Sequence, residues 1–395
     1  MNKKVFNSCN IYTFMWIMYY IQGALYEKGS IISQVLLTFL LLYSVVLYVH
    51  LHLHGEYRLP ALLKVLDIFL IVASFYGIIG LVTLQDTRYN PFSFWKVFLI
   101  SYLPIFSYYY YTHKGYLTKK WLTIWFFIFL ASVLLSYYGQ QSMIIEYYNN
   151  NREGFVNNIG YRVLALIPMV VFLRNKRVEL ISLFVIAVFL LLSLKRGAIL
   201  IGSISFLVIM LRAQNELKMK KSHIYIGATV FIIAIAYFYI YMLSTNDFVN
   251  ERINNTIEGN ISGRDELYGF FWNHIINETS VLHLLFGYGA RGTMLLRGMM
   301  AHNDWLELGI DMGLLGVICY LAFWISFYKE TRKFYIDEQC KTCLVLLLII
   351  LLGKSFFSMS YSDITIYLSC VFGYSLAAGK QLKINKGNVS SINIV

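Results

Sequence analysis

The sequence contains two arginines whose side chains can bind an anion and one histidine whose side chain can accept a proton. Arg196 follows Lys195 at a break between two apolar runs, and Arg264 follows a Ser-Gly pair in a polar segment. A planar guanidinium binds phosphate oxygens through two parallel hydrogen bonds. His302 lies where the polar segment meets the next apolar run, and an imidazole can accept a proton near neutral pH. The pattern therefore predicts an anion site next to a general base.

Each of these residues also has a purely structural interpretation. Lys195 and Arg196 can end a helix by reaching from its apolar part towards the headgroups. Arg264 can pair with Asp265 or Glu266 in the first turn of a helix. Spacing alone does not decide for Arg264, and for His302 it favours a helix cap. Basic residues are rare at the non-cytoplasmic edge of a membrane, and a charge found there usually serves a function. This favours the functional interpretation for Arg196.

The residues that follow His302 suggest how its ring is held. Asn303 is adjacent, and Asp304 and Glu307 come two and five positions later. A carboxylate at either spacing can orient an imidazole and raise its pKa. Asp304 and Glu307 are therefore candidates for orienting the His302 ring or raising its pKa.

The elements that must position these residues are membrane helices. The chain has 395 residues, of which 58% are hydrophobic and 14% charged, whereas soluble domains carry about 25% charge. Apolar runs of ~18 residues or more indicate transmembrane helices. We count twelve runs, which predict an all-α membrane protein of about 12 helices (10–12) in a single bundle over residues 1–395: 9–26, 31–51, 61–84, 92–111, 120–138, 158–173, 178–194, 197–212, 223–243, 303–328, 341–358 and 362–378.

The distribution of basic residues gives the topology. Clusters at 212–221 and 329–341 fall on the same side as both termini, and basic residues concentrate in cytoplasmic loops. Both termini are therefore predicted to be cytoplasmic, and residues 244–301 to form one large periplasmic or exterior loop between the ninth and tenth helices. The net charge of +12 is thus explained by topology and does not indicate nucleic acid binding.

Other residue patterns carry less chemistry. Tyr108 and its neighbours up to Tyr111 are expected to form an aromatic belt at an interface. Cys340 and Cys343 form a CxxC without a second pair, whereas structural zinc needs about four ligands. We predict no metal site and no cofactor.

Four ordered motifs resemble the superfamily of O-antigen polymerases and O-antigen ligases, which are bacterial membrane glycosyltransferases. They are Ser-x-Lys-Arg-Gly-Ala at 193–198, Ser-Gly-Arg at 262–264, Gly-Tyr-Gly at 287–289 and His-Asn-x-x-Leu at 302–306. The resemblance covers residues 190–320. Tyr268 departs from the family, which often has Trp four residues after the arginine.

The resemblance implies a glycan joined by diphosphate to a polyprenyl lipid, presented at the outer face of the bacterial inner membrane. It assigns catalytic roles to His302 as base and to Arg264 and Arg196 as diphosphate ligands, and it implies no metal. Substrate contacts are expected at these further positions: Lys195, Asn303, Arg291, Arg297 and Tyr268. The partners are a lipid-linked glycan donor, an acceptor and the bilayer, and the sequence leaves open whether a chain-length regulator binds.

The sequence is compatible with three functions. A polymerase joins lipid-linked repeat units, and a ligase moves the finished glycan to lipid A-core or to a protein; both break the same bond. A flippase of the same lipid also suits twelve helices. Transporters, however, place their polar residues near the midplane between repeated halves, and this chain shows neither feature.

Overall fold

The computed structural model describes residues 7–25, 30–54, 58–83, 91–149, 159–193, 195–217, 237, 240, 264–333 and 337–392. The predicted run 223–243, apart from two residues, and the first part of the loop, 244–263, lie outside the described residues. Ser262 and Gly263 of the second motif are among them.

All regular secondary structure in the described part of the chain is helical, as predicted. The helices are α1 (Ser8–Leu25), α2 (Ile31–Leu53), α3 (Ala61–Thr83), α4 (Pro91–His113), α5 (Lys119–Asn149), α6 (Ile159–Leu164), α7 (Ile167–Val170), α8 (Lys176–Leu192), α9 (Arg196–Leu217), α10 (Arg264–Ile276), α11 (Val281–Phe286), α12 (Gly292–Arg297), α13 (Asp304–Lys333), α14 (Glu338–Phe357) and α15 (Ile366–Ile392).

Five of the described helices contain a segment long and apolar enough to cross a membrane: Ile31–Leu53, Ala61–Leu81, Lys119–Gly139, Asp304–Lys333 and Glu338–Phe357. Ile159–Val170 and Ile366–Gly379 are apolar but shorter. The all-helical, multi-pass character is confirmed, and the count of twelve spans stays a prediction.

The predicted run 158–173 forms a short broken helix in the interior. Between residues 159 and 173 every side chain except that of Arg162 is buried. Pro168 stands at the start of α7, where its missing N–H costs no helical hydrogen bond. This segment is therefore enclosed by the other helices rather than by lipid.

The expected aromatic belt at Tyr108–Tyr111 is wrong for three of its four tyrosines. Tyr108, Tyr109 and Tyr111 have no exposed surface. The Tyr108 hydroxyl lies 3.0 Å from that of Thr13, and Tyr109 donates to the Arg58 carbonyl at 3.1 Å. Helix α4 packs against α2, α3 and α15, so these rings fill the bundle core and their hydroxyls find partners inside it.

Helix α13 is interrupted at Gly313, which has φ +61° and ψ −154°. An interruption leaves preceding carbonyls without their helical N–H partners. Residues 264–301, the described part of the loop predicted to be exterior and called the outer loop below, supply replacements. Tyr288 N–H donates to the Ile310 carbonyl at 2.7 Å and Gly289 N–H to that of Asp311 at 3.0 Å. The loop is thereby docked onto the first part of α13.

Candidate active site

The candidate site is organised around the Tyr161 ring and the Phe357 carbonyl at one end of the bundle. Lys195 Nζ lies 5.8 Å and Lys354 Nζ 5.5 Å from the Tyr161 ring centroid. The Arg264 guanidinium donates to the Phe357 carbonyl at 2.9 Å. The beginnings of α6, α9 and α10 therefore meet the end of α14. Residues that are distant in the chain form one positively charged site.

His302 lies on a short segment that is fixed at each of its residues. The Glu307 carboxylate accepts from the Ala301 N–H at 2.6 Å, and the His302 carbonyl accepts from the Tyr268 hydroxyl at 3.2 Å. Asn303 caps α13, because its side-chain oxygen accepts from the N–H groups of the next turn at 3.0 and 3.2 Å. The backbone of His302 has φ +55°, a left-handed conformation that is uncommon for residues other than glycine. These contacts hold it in that conformation.

The charges around His302 differ from the expected ones. Burial and the positive charges of Arg264 and Lys195 lower the pKa of His302 below its ordinary value of 6.5. The expectation that Asp304 or Glu307 raises this pKa is wrong. Both carboxylates are fully buried and turn into the protein, so the groups that act on the ring are cations. His302 is therefore neutral at pH 7 and able to accept a proton.

This electrostatic arrangement predicts the pH dependence of any reaction in which His302 is the base. His302 accepts a proton only when its ring is neutral, so the transfer rate falls as the pH decreases through the pKa of His302. Because this pKa is lowered, the acid limb of the rate profile lies below pH 6.5. Lys195→Gln removes one of the charges that lower the pKa, so its acid limb should lie at higher pH than that of the parent. Initial transfer rates measured across pH in proteoliposomes check this.

Arg297→Gln is the matched control for the pH profile. It also removes a cation, but the Arg297 guanidinium stacks 4.6 Å from the Phe270 ring centroid and is not among the charges that lower the His302 pKa. Its acid limb should coincide with that of the parent. An unmoved limb in Lys195→Gln would contradict the assignment of His302 as base.

Asp304 ties the start of α13 to the turn that follows α14. Its carboxylate accepts from the Ser360 N–H at 2.9 and 3.0 Å and from the Tyr361 N–H at 3.0 Å. The Tyr320 hydroxyl donates to the same carboxylate. Asp304, two residues after His302, thus binds backbone N–H groups of the turn after α14 and not the imidazole.

Removing the Asp304 carboxylate should cost substantial stability. Asp304→Ala leaves buried donors without an acceptor, at about 1–3 kcal/mol each, so we expect a loss of roughly 3 kcal/mol or more. The apparent unfolding midpoint in detergent should fall by several degrees. Asp265→Ala removes an exposed carboxylate at the start of α10 and should cost less than about 1 kcal/mol. Equal midpoints for the two variants would show that the Asp304 contacts contribute little.

Lys354 is the residue that the sequence interpretation missed. Its side chain is 3% exposed, and Nζ donates to Asp363 at 2.7 Å on the backbone oxygen and 2.6 Å on the carboxylate. The signal was a single lysine inside the apolar run 341–358, because an ionisable residue within a membrane segment is costly and usually functional. Together with Asp304, Lys354 fixes the turn that begins after Phe357.

Arg291 belongs to a second buried network. Its Nε donates to the Ser93 hydroxyl at 3.3 Å, and its charge acts on Glu307 and Asp311. Thr293 links the same carboxylates, through its hydroxyl to Glu307 at 2.9 Å and through its N–H to Asp311 at 3.0 Å. These contacts hold the outer loop on α13, which favours a structural role for Arg291 over substrate contact.

The other predicted site residues occupy different places. Tyr268 lies beside Arg264, whose charge and hydrogen bond act on its hydroxyl. Arg196 begins α9 as an exposed residue next to Lys195. The structure therefore brings His302, Arg264, Lys195 and Tyr268 together, whereas Arg297 stacks on Phe270. Within the described ranges, no three His, Cys, Asp or Glu side chains are grouped so that they could hold a metal ion.

Fold and site together define a multi-pass helical membrane protein with a basic site and a neutral histidine at one end of its bundle. Residues 181–321 match the protein family described as O-antigen ligase. The match supports the superfamily of O-antigen ligases and polymerases that the four motifs resemble. No curated protein matches the chain significantly.

Proposed function

We propose that the protein transfers a glycan from a polyprenyl diphosphate to an acceptor hydroxyl, and that its physiological reaction is the polymerisation of lipid-linked repeat units. The observation that carries the proposal is that Lys195 and Arg264, which come together at Tyr161, both act electrostatically on the His302 ring. The family match over residues 181–321 supports the same class of reaction.

The cations suit the donor's diphosphate. Lys195, Arg196 and Arg264 lie at or just before the first residues of α9 and α10, where the N-terminal ends of helices favour anions. Among the described residues Arg264 contacts the Phe357 carbonyl and the Tyr268 hydroxyl. A guanidinium carries five N–H donors, so donors remain for a phosphate oxygen. In this site the guanidinium stabilises the charge that develops on the leaving diphosphate.

His302 supplies the proton acceptor. The acceptor hydroxyl gives its proton to the imidazole while its oxygen bonds to the anomeric carbon of the donor sugar. The bond from that carbon to the diphosphate oxygen breaks, and polyprenyl diphosphate leaves with the electron pair. A low pKa keeps the imidazole neutral, which is the state that this step requires.

A ligase is the second candidate, because the matched family is described by that activity. The ligase would use the same donor groups and would differ in its acceptor, lipid A-core or a protein. We favour the polymerase because polymerases are common and divergent in this superfamily. A polysaccharide chain-length regulator is a further candidate partner of the polymerase.

The proposal includes a topology. About twelve helices cross the bacterial inner membrane, both termini are cytoplasmic, and residues 244–301 belong to the large periplasmic loop. The distribution of basic residues supports this orientation. It puts His302 and Arg264 at the periplasmic face, where lipid-linked glycans are presented.

A gel of surface polysaccharide tests the function. A deletion strain is complemented with the parent gene or with the His302→Ala form. Core that carries a single repeat unit, without a ladder, would identify a polymerase. Bare core with polymer retained on the lipid carrier would identify a ligase. A normal ladder from His302→Ala would contradict both the polymerase and the ligase and would favour a flippase.

A further inference from the structure

Helix α11 exposes nearly all of its apolar side chains. Val281 is 67% and Leu282 68% exposed, and Leu284, Leu285 and Phe286 are exposed as well. Contiguous exposed apolar surface of this kind marks a contact with lipid or with another molecule.

The one polar side chain of α11, that of His283, turns towards neighbouring residues of the same loop. The His283 ring stacks on Tyr288 with centroids 4.2 Å apart, and its Nδ1 lies 3.5 Å from the Glu278 carboxylate. The Tyr288 hydroxyl donates to the same carboxylate. His283, although 45% exposed, is thus held by neighbouring residues of the protein. All five apolar side chains of α11 are exposed, as expected of a helix that lies in a membrane interface.

The chain after α11 joins the apolar surface of a membrane-spanning helix. A Cβ at Gly313 would lie 2.5 Å from the Gly287 nitrogen and 2.7 Å from the Leu285 carbonyl carbon, so the end of α11 touches α13 directly. Just beyond this contact, α13 presents an exposed apolar stripe at intervals of three and four residues: Leu314, Ile318, Leu321 and Ile325. On a helix apolar enough to span the bilayer, such a stripe faces lipid.

Helix α10 adds two exposed residues before α11. Trp272 and Ile276 lie four positions apart, hence on one face of the helix, and both are exposed. Tryptophan concentrates at headgroup depth, where its ring is half apolar and half polar. Its exposure agrees with a location at the membrane surface.

We propose that α11 lies in the lipid leaflet beside α13, with Val281, Leu282 and Leu285 among the acyl chains, and that it anchors the outer loop at a fixed depth. Lipid is the occupant because the surface is continuous with the lipid-facing stripe of α13. This inference does not depend on the reaction that the site catalyses.

Nitroxide accessibility tests the proposal on the full-length protein in nanodiscs of phosphatidylethanolamine and phosphatidylglycerol. Labels are attached at Leu282→Cys, at Ile318→Cys as a lipid-facing reference and at Glu266→Cys as an exposed polar reference. The described native cysteines are all buried, and the parent protein gives the labelling blank. Collision rates with oxygen report lipid, and those with a water-soluble nickel complex report water.

The expected ratio of oxygen to nickel collisions at Leu282 is close to that at Ile318 and at least about fivefold above that at Glu266. A Leu282 ratio equal to that of Glu266 would place α11 in water and overturn the proposal. A label at Leu282 shielded from both reagents would mean coverage by protein, which also overturns it. If Leu282→Cys fails to fold, Val281→Cys is read by the same criteria.

Discussion

Arg264→Ala is expected to lower the rate of glycan transfer by on the order of 10²–10³-fold, the usual effect of removing a donor that stabilises developing negative charge. The guanidinium lies between the Phe357 carbonyl, at 2.9 Å, and the Tyr268 hydroxyl. Arg264→Lys keeps a positive charge but loses the planar fork, so its rate should lie between those of the parent and of Arg264→Ala. Transfer between purified lipid-linked donor and acceptor in proteoliposomes measures these rates.

The same experiment separates charge stabilisation from folding. Arg297→Ala is the matched control, because it removes an arginine of the outer loop that stacks on Phe270, and it should keep most of its activity. The apparent unfolding midpoint of Arg264→Ala should stay near that of the parent, because each hydrogen bond of a partly exposed side chain contributes only about 1 kcal/mol. An Arg264→Ala variant that retains more than about a tenth of the rate would contradict the proposed role.

Gly313→Ala is expected to undock the outer loop from α13. Gly313 has φ +61° and ψ −154°, and Gly287 has φ +71° and ψ −170°; this region is essentially confined to glycine, and other residues pay about 1–3 kcal/mol there. The two backbones also touch, and a Cβ at Gly313 would lie 2.5 Å from the Gly287 nitrogen. Backbone cannot give way as a flexible side chain does, so the contact must open.

Opening this contact has a specific readout. The amides of Tyr288 and Gly289, which donate to the Ile310 and Asp311 carbonyls, should lose protection in hydrogen exchange, and transfer activity should fall with them. Gly309→Ala is the control. A Cβ at Gly309 would meet only side-chain ends, Ile275 Cδ1 at 3.3 Å and Val317 Cγ2 at 3.9 Å, and alanine favours a helix. Protected amides and full activity in Gly313→Ala would show that the glycine contact does not hold the loop.

Much of the architecture could be predicted from sequence because membrane helices are specified locally. Their length and apolar composition are read directly along the chain, and eleven of the twelve predicted runs overlap described helices. The prediction was weakest where tertiary packing decides the environment. The run 158–173 is apolar because protein surrounds it, and Tyr108 is a core residue whose hydroxyl finds Thr13; composition alone does not separate these cases from contact with lipid.

The candidate site could likewise be predicted only in part, because the sequence shows its residue types but not their contacts. Sequence singled out Arg264, Lys195 and His302 by residue type and by position at the edges of apolar runs. Asn303 was expected as a substrate contact, and the structure shows its side chain capping α13. Sequence did not reveal which charge acts on the imidazole. Asp304 is two residues from His302 but points to Ser360, because the first turn of α13 directs successive side chains to different faces.

The sequence by itself determined the helical membrane class, the motifs and the kinds of side chain available for an anion and a proton. Only the tertiary structure decided which of them meet. Burial together with the charges of Arg264 and Lys195 lowers the pKa of His302, although both cations are distant from it in the chain. Lys354 joins them beside Tyr161. Contacts of this kind depend on how helices pack and on where α13 breaks at Gly313, and neither is encoded in the local pattern around any one residue.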